Sequence, residues 1–149
     1  MAWSGDSMID KALLEVYSFN GAGFKPLVIY KTWRVAVLNF MEALEPENIH
    51  SVERHPETDE VFILTRGEGV LFLGEGEPQV RKLYAQVMEQ DVIYNVKPRT
   101  WHAIELTRDA SVLIMENSDT NEKNSEYCDL SSVLRQYIRE NGLSKNHNT

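Results

Sequence analysis

The chain has 149 residues, of which 42% are hydrophobic and 26% are charged, and its formal net charge is −8. This length and composition predict one globular domain over residues 1–149 and exclude a fibrous or largely disordered chain. The negative charge is spread along the chain without a basic stripe, which argues against a nucleic-acid partner, because phosphate binding needs clustered Lys and Arg.

Membrane segments and cysteine pairs are also missing from the sequence. No stretch approaches the roughly 18 apolar residues that span a bilayer, and residues 1–6 lack the basic and apolar regions of a signal peptide. Cys128 is the only cysteine, so any bound metal must be held by histidine and carboxylate groups. We therefore expect a cytoplasmic protein, without a membrane segment, whose partner is a small molecule.

The first third of the chain predicts two strands after an irregular start. The apolar residues of 8–17 fit one short helix, or a helical turn that runs into a strand. Residues 19–26 contain two glycines and a proline, which should break any regular element. Runs of β-branched and aromatic residues then predict strands at 27–30 and 33–41. Residues 42–48 are acidic and contain a proline, which favours a surface loop.

Seven more strands are predicted at the short, regular spacing that is typical of a β-sandwich or barrel. Their ranges are 49–54, 60–65, 70–73, 79–84, 92–95, 101–106 and 111–116. Turn-forming residues separate them, and no helical crossover fits between them, so the sheet should be mainly antiparallel. The barrel is expected over about residues 27–116.

One helix is predicted over about residues 129–141, after a polar loop at 117–127. Its apolar residues recur at helical spacing and form one stripe: Leu130, Val133, Leu134, Tyr137 and Ile138. Asp129 or Ser131 is expected to cap the helix N-terminus, and Gly142 to end it in a left-handed conformation. The stripe is expected to pack on the sheet, with a dimer contact as the alternative.

Residues 53–69 carry the main functional signal of the sequence. Glu53 and His55 are two residues apart in a predicted strand, so their side chains share a face and converge on one point. Glu60 opens the next strand, and its side chain should point into the barrel. A carboxylate in that position is costly unless it is paired or bound to a metal ion.

A second imidazole comes from His102, which shares its predicted strand face with two apolar residues and so needs a polar partner. Two imidazoles and one carboxylate leave open positions on Fe(II) and also suit Zn, Mn, Ni or Co. Adding Glu53 makes the set harder and favours Mn or Fe over Cu. The alternative to metal binding is that Glu53 and Glu60 are charged residues at the rim of the barrel and that both histidines are hydrogen-bonded residues inside it.

Four aromatic and two basic residues are weaker candidates for ligand binding. Arg34 and Arg99 could clamp a substrate carboxylate or phosphate, although a solvated strand end is the commoner role for such an arginine. Four aromatic residues could stack on a planar or sugar ligand, although core packing is the commoner role for aromatic residues on strands. They are Trp33, Phe62, Tyr94 and Trp101.

The spacing of residues 53–67 resembles the first motif of the cupin superfamily, G-x5-H-x-H-x3,4-E-x6-G. His55, Glu60 and Gly67 keep the places of the second histidine, the glutamate and the last glycine, and Glu53 stands where the family has its first histidine. The second motif, G-x5-P-x-G-x2-H-x3-N, is matched more loosely by residues 90–102, through His102 and a nearby proline. Arg99 replaces its inner glycine and Leu106 its asparagine.

This resemblance covers roughly residues 35–116 and implies an all-β fold, a conical jelly-roll β-barrel of the antiparallel β-sandwich type, to which the C-terminal α-helix is added. It implies a homodimer, because cupins are commonly dimeric. It also implies a divalent metal ion, Fe, Mn, Zn or Ni, held by His55, Glu60 and His102, with Glu53 as a ligand by position only.

Three functional hypotheses follow from the site. The first is a metal-dependent isomerase, epimerase or oxygenase acting on a small polar metabolite such as a sugar or keto acid. The second is a ligand-binding or sensor module that works without metal. The third is a metal-free epimerase with His55 or His102 as general base, for which the sequence offers no acid–base partner. No catalytic residue is assigned.

Overall fold

A computed structural model of the chain describes residues 8–143, so the prediction that residues 1–6 hold no signal peptide lies outside the described part. Ten strands precede one helix. The bounds are β1 Gly23–Tyr30, β2 Trp33–Asn39, β3 Ser51–Arg54, β4 Glu60–Arg66, β5 Gly69–Glu75, β6 Lys82–Val87, β7 Ile93–Val96, β8 Trp101–Leu106, β9 Ser111–Asn117, β10 Glu126–Asp129 and α1 Ser132–Asn141. Within these residues, no helix has the length and hydropathy to cross a bilayer.

The strands form two five-stranded sheets. The first sheet has the order β1-β2-β9-β4-β7, and the second has the order β10-β3-β8-β5-β6. All pairings between these strands are antiparallel. Apart from the hairpins β1-β2 and β5-β6, successive strands lie in opposite sheets. The result is a jelly-roll β-sandwich, as predicted.

Two apolar clusters hold the fold together. Side chains of both sheets fill the space between them, among them Leu38, Phe62, Leu64, Leu71, Ile104, Val112 and Ile114. The second cluster lies on the outer face of the second sheet, where Leu134 and Ile138 of α1 pack with Val52, Val70, Phe72 and Trp101. The predicted packing of the helix stripe on a sheet is therefore confirmed, although Val133 remains exposed.

The N-terminal and loop predictions need correction in three places. Residues 11–13 form only a turn, and no strand follows it before Gly23. β1 begins inside the stretch expected to be irregular, because Gly23 turns the chain at φ +82° and Pro26 lies on an edge strand next to a shift in register, where a proline is tolerated. The predicted loop at 42–48 contains two short 3-10 turns, Glu42–Leu44 and Pro46–Asn48.

The prediction also missed one strand and placed another three residues too early. β10 falls in the expected polar loop, because its partner β3 is distant in sequence and supplies the pairing that its own residues do not signal. β6 starts at Lys82 rather than at 79, since the Arg81 amide donates to the Glu75 carbonyl and closes a turn. Ser131 caps α1 as predicted.

Gly142 follows α1 in an extended conformation, φ −79° and ψ −175°, and not in the expected left-handed one. A glycine is needed here because the side chain of Glu105 packs closely against this position. A Cβ at this position would lie 2.2 Å from Oε2 of Glu105, whose carboxylate accepts the Leu143 amide hydrogen at 3.2 and 3.3 Å.

Candidate metal centre

The fold brings all four predicted ligand residues to one place inside the barrel. Glu53 lies on β3, His55 directly follows that strand, Glu60 opens β4, and His102 lies on β8 in register with Glu53. The Oε2 atom of Glu60 is 2.9 Å from Nε2 of His102 and 3.1 Å from Nε2 of His55. Glu53 Oε1 is farther away, 4.0 and 3.9 Å from the same two nitrogens.

Burial separates the four residues into a deep set and a rim residue. The side chains of His55, Glu60 and His102 are 9%, 7% and 5% exposed, whereas that of Glu53 is 42% exposed. The β-strand alternation explains this arrangement, because Val52 and Arg54 point the other way, into the outer cluster and against Trp101. Glu53 therefore stands between the buried site and solvent.

Hydrogen bonds fix which nitrogen of each imidazole faces the site. His102 Nδ1 lies 2.9 Å from the Thr100 carbonyl oxygen, which only accepts, so this nitrogen carries the hydrogen. His55 Nδ1 lies 2.8 Å from the Ser125 hydroxyl. That hydroxyl donates its single hydrogen to the Asn121 carbonyl at 2.7 Å, and it therefore accepts from His55. Both neutral rings thus turn an unprotonated Nε2 towards Glu60.

Two imidazole lone pairs and a carboxylate oxygen then face one another without a hydrogen between them. Glu60 Oε2 and His102 Nε2 are both buried, and they form no aligned hydrogen bond although they lie close together. A buried arrangement of this kind requires either extra protons on the rings or a cation among the three atoms. A ring hydrogen given to a backbone carbonyl is the usual arrangement of metal-binding histidines, and the donor set fits a first-row divalent ion.

In the absence of metal, Glu60 controls the protonation of both rings. Burial disfavours the imidazolium form of His55 and of His102, but the Glu60 carboxylate outweighs it and raises the pKa of both histidines. Burial in turn disfavours the charged carboxylate, but the two imidazoles lower the pKa of Glu60 to about 2. The metal-free site is therefore stabilised by protons that a bound ion would displace.

We expect the metal-free protein to lose stability as the pH rises above 6.5, the ordinary pKa of histidine. Since the raised pKa values mean that the folded state holds more protons than the unfolded state, the free energy of unfolding falls with rising pH through those values. Urea unfolding of chelator-treated protein at about pH 6 and about pH 9 measures the fall. The Glu60→Gln variant lacks the carboxylate that raises both values and should show a smaller fall; an equal one contradicts the assignment.

Glu116 is a site residue that the sequence analysis missed. It lies on β9 with Oε1 bonded to Arg34, while Oε2 is buried and makes no hydrogen bond. One ligand atom each of His55, Glu60 and Glu116 lie within 4.8 Å of one another. Burial and the Glu60 charge raise the pKa of Glu116, against the effect of Arg34. Strand alternation, which puts residue 116 on the face of Val112 and Ile114, was the available signal.

A cavity of about 480 Å³ opens from this cluster to solvent. Its wall is apolar around Leu38, Phe62, Ile104 and Ile114, and Phe24 and Tyr127 lie among its lining residues. Of the aromatic candidates, only Phe62 lines it, edge-on to His102 at 5.9 Å between ring centroids. Trp101 instead donates to the Gly76 carbonyl beneath Arg54. Of the two arginine candidates, Arg34 lines the cavity and Arg99 lies in a separate groove.

Comparison with known proteins finds similarity at the level of the fold. The sequence matches no protein-family profile and no characterised protein sequence. Among solved structures, the nucleoside dehydratase Pac13 is 13% identical, with a TM-score of 0.52 over 76% of this chain and 85% of that chain. A variant of the Streptomyces protein with uridine reaches a TM-score of 0.53 at 14% identity, over 80% of this chain and 95% of that chain.

Two of the other matching structures serve as examples. The capsular polysaccharide assembling protein CapF of Staphylococcus aureus is 14% identical, with a TM-score of 0.53 over 76% of this chain and 31% of that chain. A cupin-2 domain protein of Shewanella frigidimarina is 17% identical, with a TM-score of 0.47 over 66% of this chain and 84% of that chain. The two facing antiparallel sheets, with the motif residues inside them, show that this chain has the cupin fold.

Proposed function

We propose that this protein binds a divalent metal ion through His55, Glu60 and His102, with Glu53 at the rim of the site, and a small polar molecule in the adjoining cavity. One observation carries the proposal. Both imidazoles have their Nδ1 hydrogen bound elsewhere, so that two Nε2 lone pairs and the Glu60 oxygen meet at 2.9 and 3.1 Å. A divalent cation satisfies all three atoms at once.

The surrounding residues suit such a centre. Ser125 and Thr100 orient the two imidazoles, and the carboxylates of Glu53 and Glu60 favour Mn or Fe among the candidate ions Fe, Mn, Zn and Ni. When bound, an ion of this kind supplies Lewis acidity towards a substrate oxygen or water. The apolar wall of the cavity limits the water around the ligand. Isomerisation or epimerisation of a sugar-like metabolite, or its oxygenation, is the proposed class of reaction.

A metal-free acid–base enzyme is the second candidate, and Glu116 favours it. Its buried, unpartnered Oε2 supplies the acid–base partner that the sequence lacked, beside His55 as a base. A protein of similar fold, Pac13, is a nucleoside dehydratase, and loss of water from a substrate is a reaction that acid–base groups catalyse. A binding module without turnover, a homodimer and a cytoplasmic location stay predictions.

Metal analysis of protein purified without an affinity tag tests the first proposal. We expect close to one ion per chain, and a thermal shift when Mn, Fe, Ni or Zn is added back after chelation. An ion at about 100 times its Kd stabilises the folded state by about 2.7 kcal/mol. Fewer than roughly one ion in ten chains, together with no shift from any of the four ions, would contradict the metal centre and favour the acid–base alternative.

A further inference from the structure

Charge is unevenly distributed around the cavity. Among the described residues that line it, Arg34 is the only arginine or lysine, whereas four carboxylates are present: Glu53, Glu60, Glu116 and Glu122. Two further positive charges, from a divalent ion in the proposed centre or from protonation of His55 and His102 in its absence, would still leave this lining with one net negative charge. The cavity therefore offers an incoming ligand mostly hydrogen-bond acceptors and negative potential.

The positive charge of Arg34 is already engaged by the protein. Its Nη2 and Nε donate to Glu116 Oε1 at 2.6 and 3.2 Å, and the two side chains are only 14% and 3% exposed. The guanidinium also lies over the ring of Phe24, with 5.4 Å between Cζ and the ring centroid. A ligand anion that approaches this guanidinium also meets the Glu116 carboxylate beside it, and the buried pair does not separate without leaving a charge uncompensated.

We propose that this cavity selects uncharged or cationic polar molecules over carboxylates and phosphates, and that Glu116 sets this preference by neutralising Arg34. The inference deepens the proposed function, since it rests on the cavity as the ligand site, but it does not require a bound metal. It separates the two substrate classes that the sequence left open: a neutral sugar fits the charge of the cavity, and a keto acid does not.

Benzamide, benzylamine and benzoate test the preference, because they share one ring and differ in charge. Ligand-observed NMR titrations use chelator-treated wild type, Glu116→Gln and the double variant Arg34→Gln/Glu116→Gln. On the wild type we expect benzoate to bind at least about tenfold more weakly than benzamide or benzylamine. Freeing Arg34 in Glu116→Gln should tighten benzoate binding by about tenfold or more, as expected for one charged hydrogen bond. The double variant should lose that gain.

Two outcomes overturn the inference. The first is wild-type protein that binds benzoate as tightly as benzamide, a comparison that needs no variant to fold. The second comes from the variants. It is either a folded Glu116→Gln protein that gains no affinity for benzoate, or a gain in affinity that persists in the double variant and therefore does not depend on Arg34. Neither outcome depends on a bound metal ion. A failure of this inference therefore does not affect the metal proposal, which the ion analysis tests separately.

Discussion

The His102→Ala variant is expected to lose metal binding and, with it, the whole thermal shift caused by the added ion. His102 supplies one of the two imidazole nitrogens at the centre, and its side chain is only 5% exposed, so water cannot take its place without entering the barrel. At about 100 times the wild-type Kd, the expected loss is about 2.7 kcal/mol of ligand-dependent stabilisation. Thermal unfolding with and without Mn or Fe measures it, and the metal-free samples show separately what the substitution does to folding.

Three further variants make this prediction specific. Glu60→Gln should behave like His102→Ala, because the amide keeps the shape of the side chain and removes the negative charge. Glu53→Gln should weaken binding less, since this carboxylate is 42% exposed and stands about 4 Å from both nitrogens. His50→Ala removes an exposed histidine and should leave the shift unchanged. A full shift in His102→Ala would contradict the proposed ligand set.

The Gly67→Ala variant is expected to lower the free energy of unfolding by about 2–5 kcal/mol. Gly67 turns the chain between β4 and β5 at φ +72°, a left-handed conformation that costs an alanine roughly 1–2 kcal/mol. An added Cβ would also lie 2.5 Å from Cα and 2.7 Å from N of Ala110. These are backbone atoms, which cannot rotate away, so the turn between the two sheets has to shift.

Urea unfolding of both proteins measures this loss, and Gly21→Ala is the matched control. At Gly21 the three atoms nearest to the added Cβ all belong to the ring of Phe19, the first at 2.6 Å, and a side chain can move aside. The control should therefore lose clearly less stability than Gly67→Ala. Equal losses would mean that the methyl group itself, and not the turn at Gly67, is responsible.

Local patterns predicted the architecture and the centre of the site. Apolar runs of strand length, separated by turn residues, identified the positions of nine strands, because burial between two sheets requires side chains of that kind. The period-2 alternation placed Glu53 and His55 on one face. A polar side chain facing an apolar interior then marked Glu60 and His102 as residues that need a partner.

Features that depend on distant segments were not predictable in this way. β10 has no strand pattern of its own and exists because β3 pairs with it. Ser125 was part of an expected loop, and only the fold brings its hydroxyl to His55. Glu116 and Arg34 are 82 residues apart, on neighbouring strands, so their ion pair depends on the order of strands in the first sheet.

The sequence by itself determined the fold class and the four residues around the proposed ion, because each follows from local alternation and spacing. Only the tertiary structure decided the state of those residues. It placed Glu53 at the rim, aimed both Nε2 atoms at Glu60, and added Glu116 with its engaged arginine. Burial and hydrogen-bond direction are properties of the packed sheets, and they decide what the same four side chains can bind.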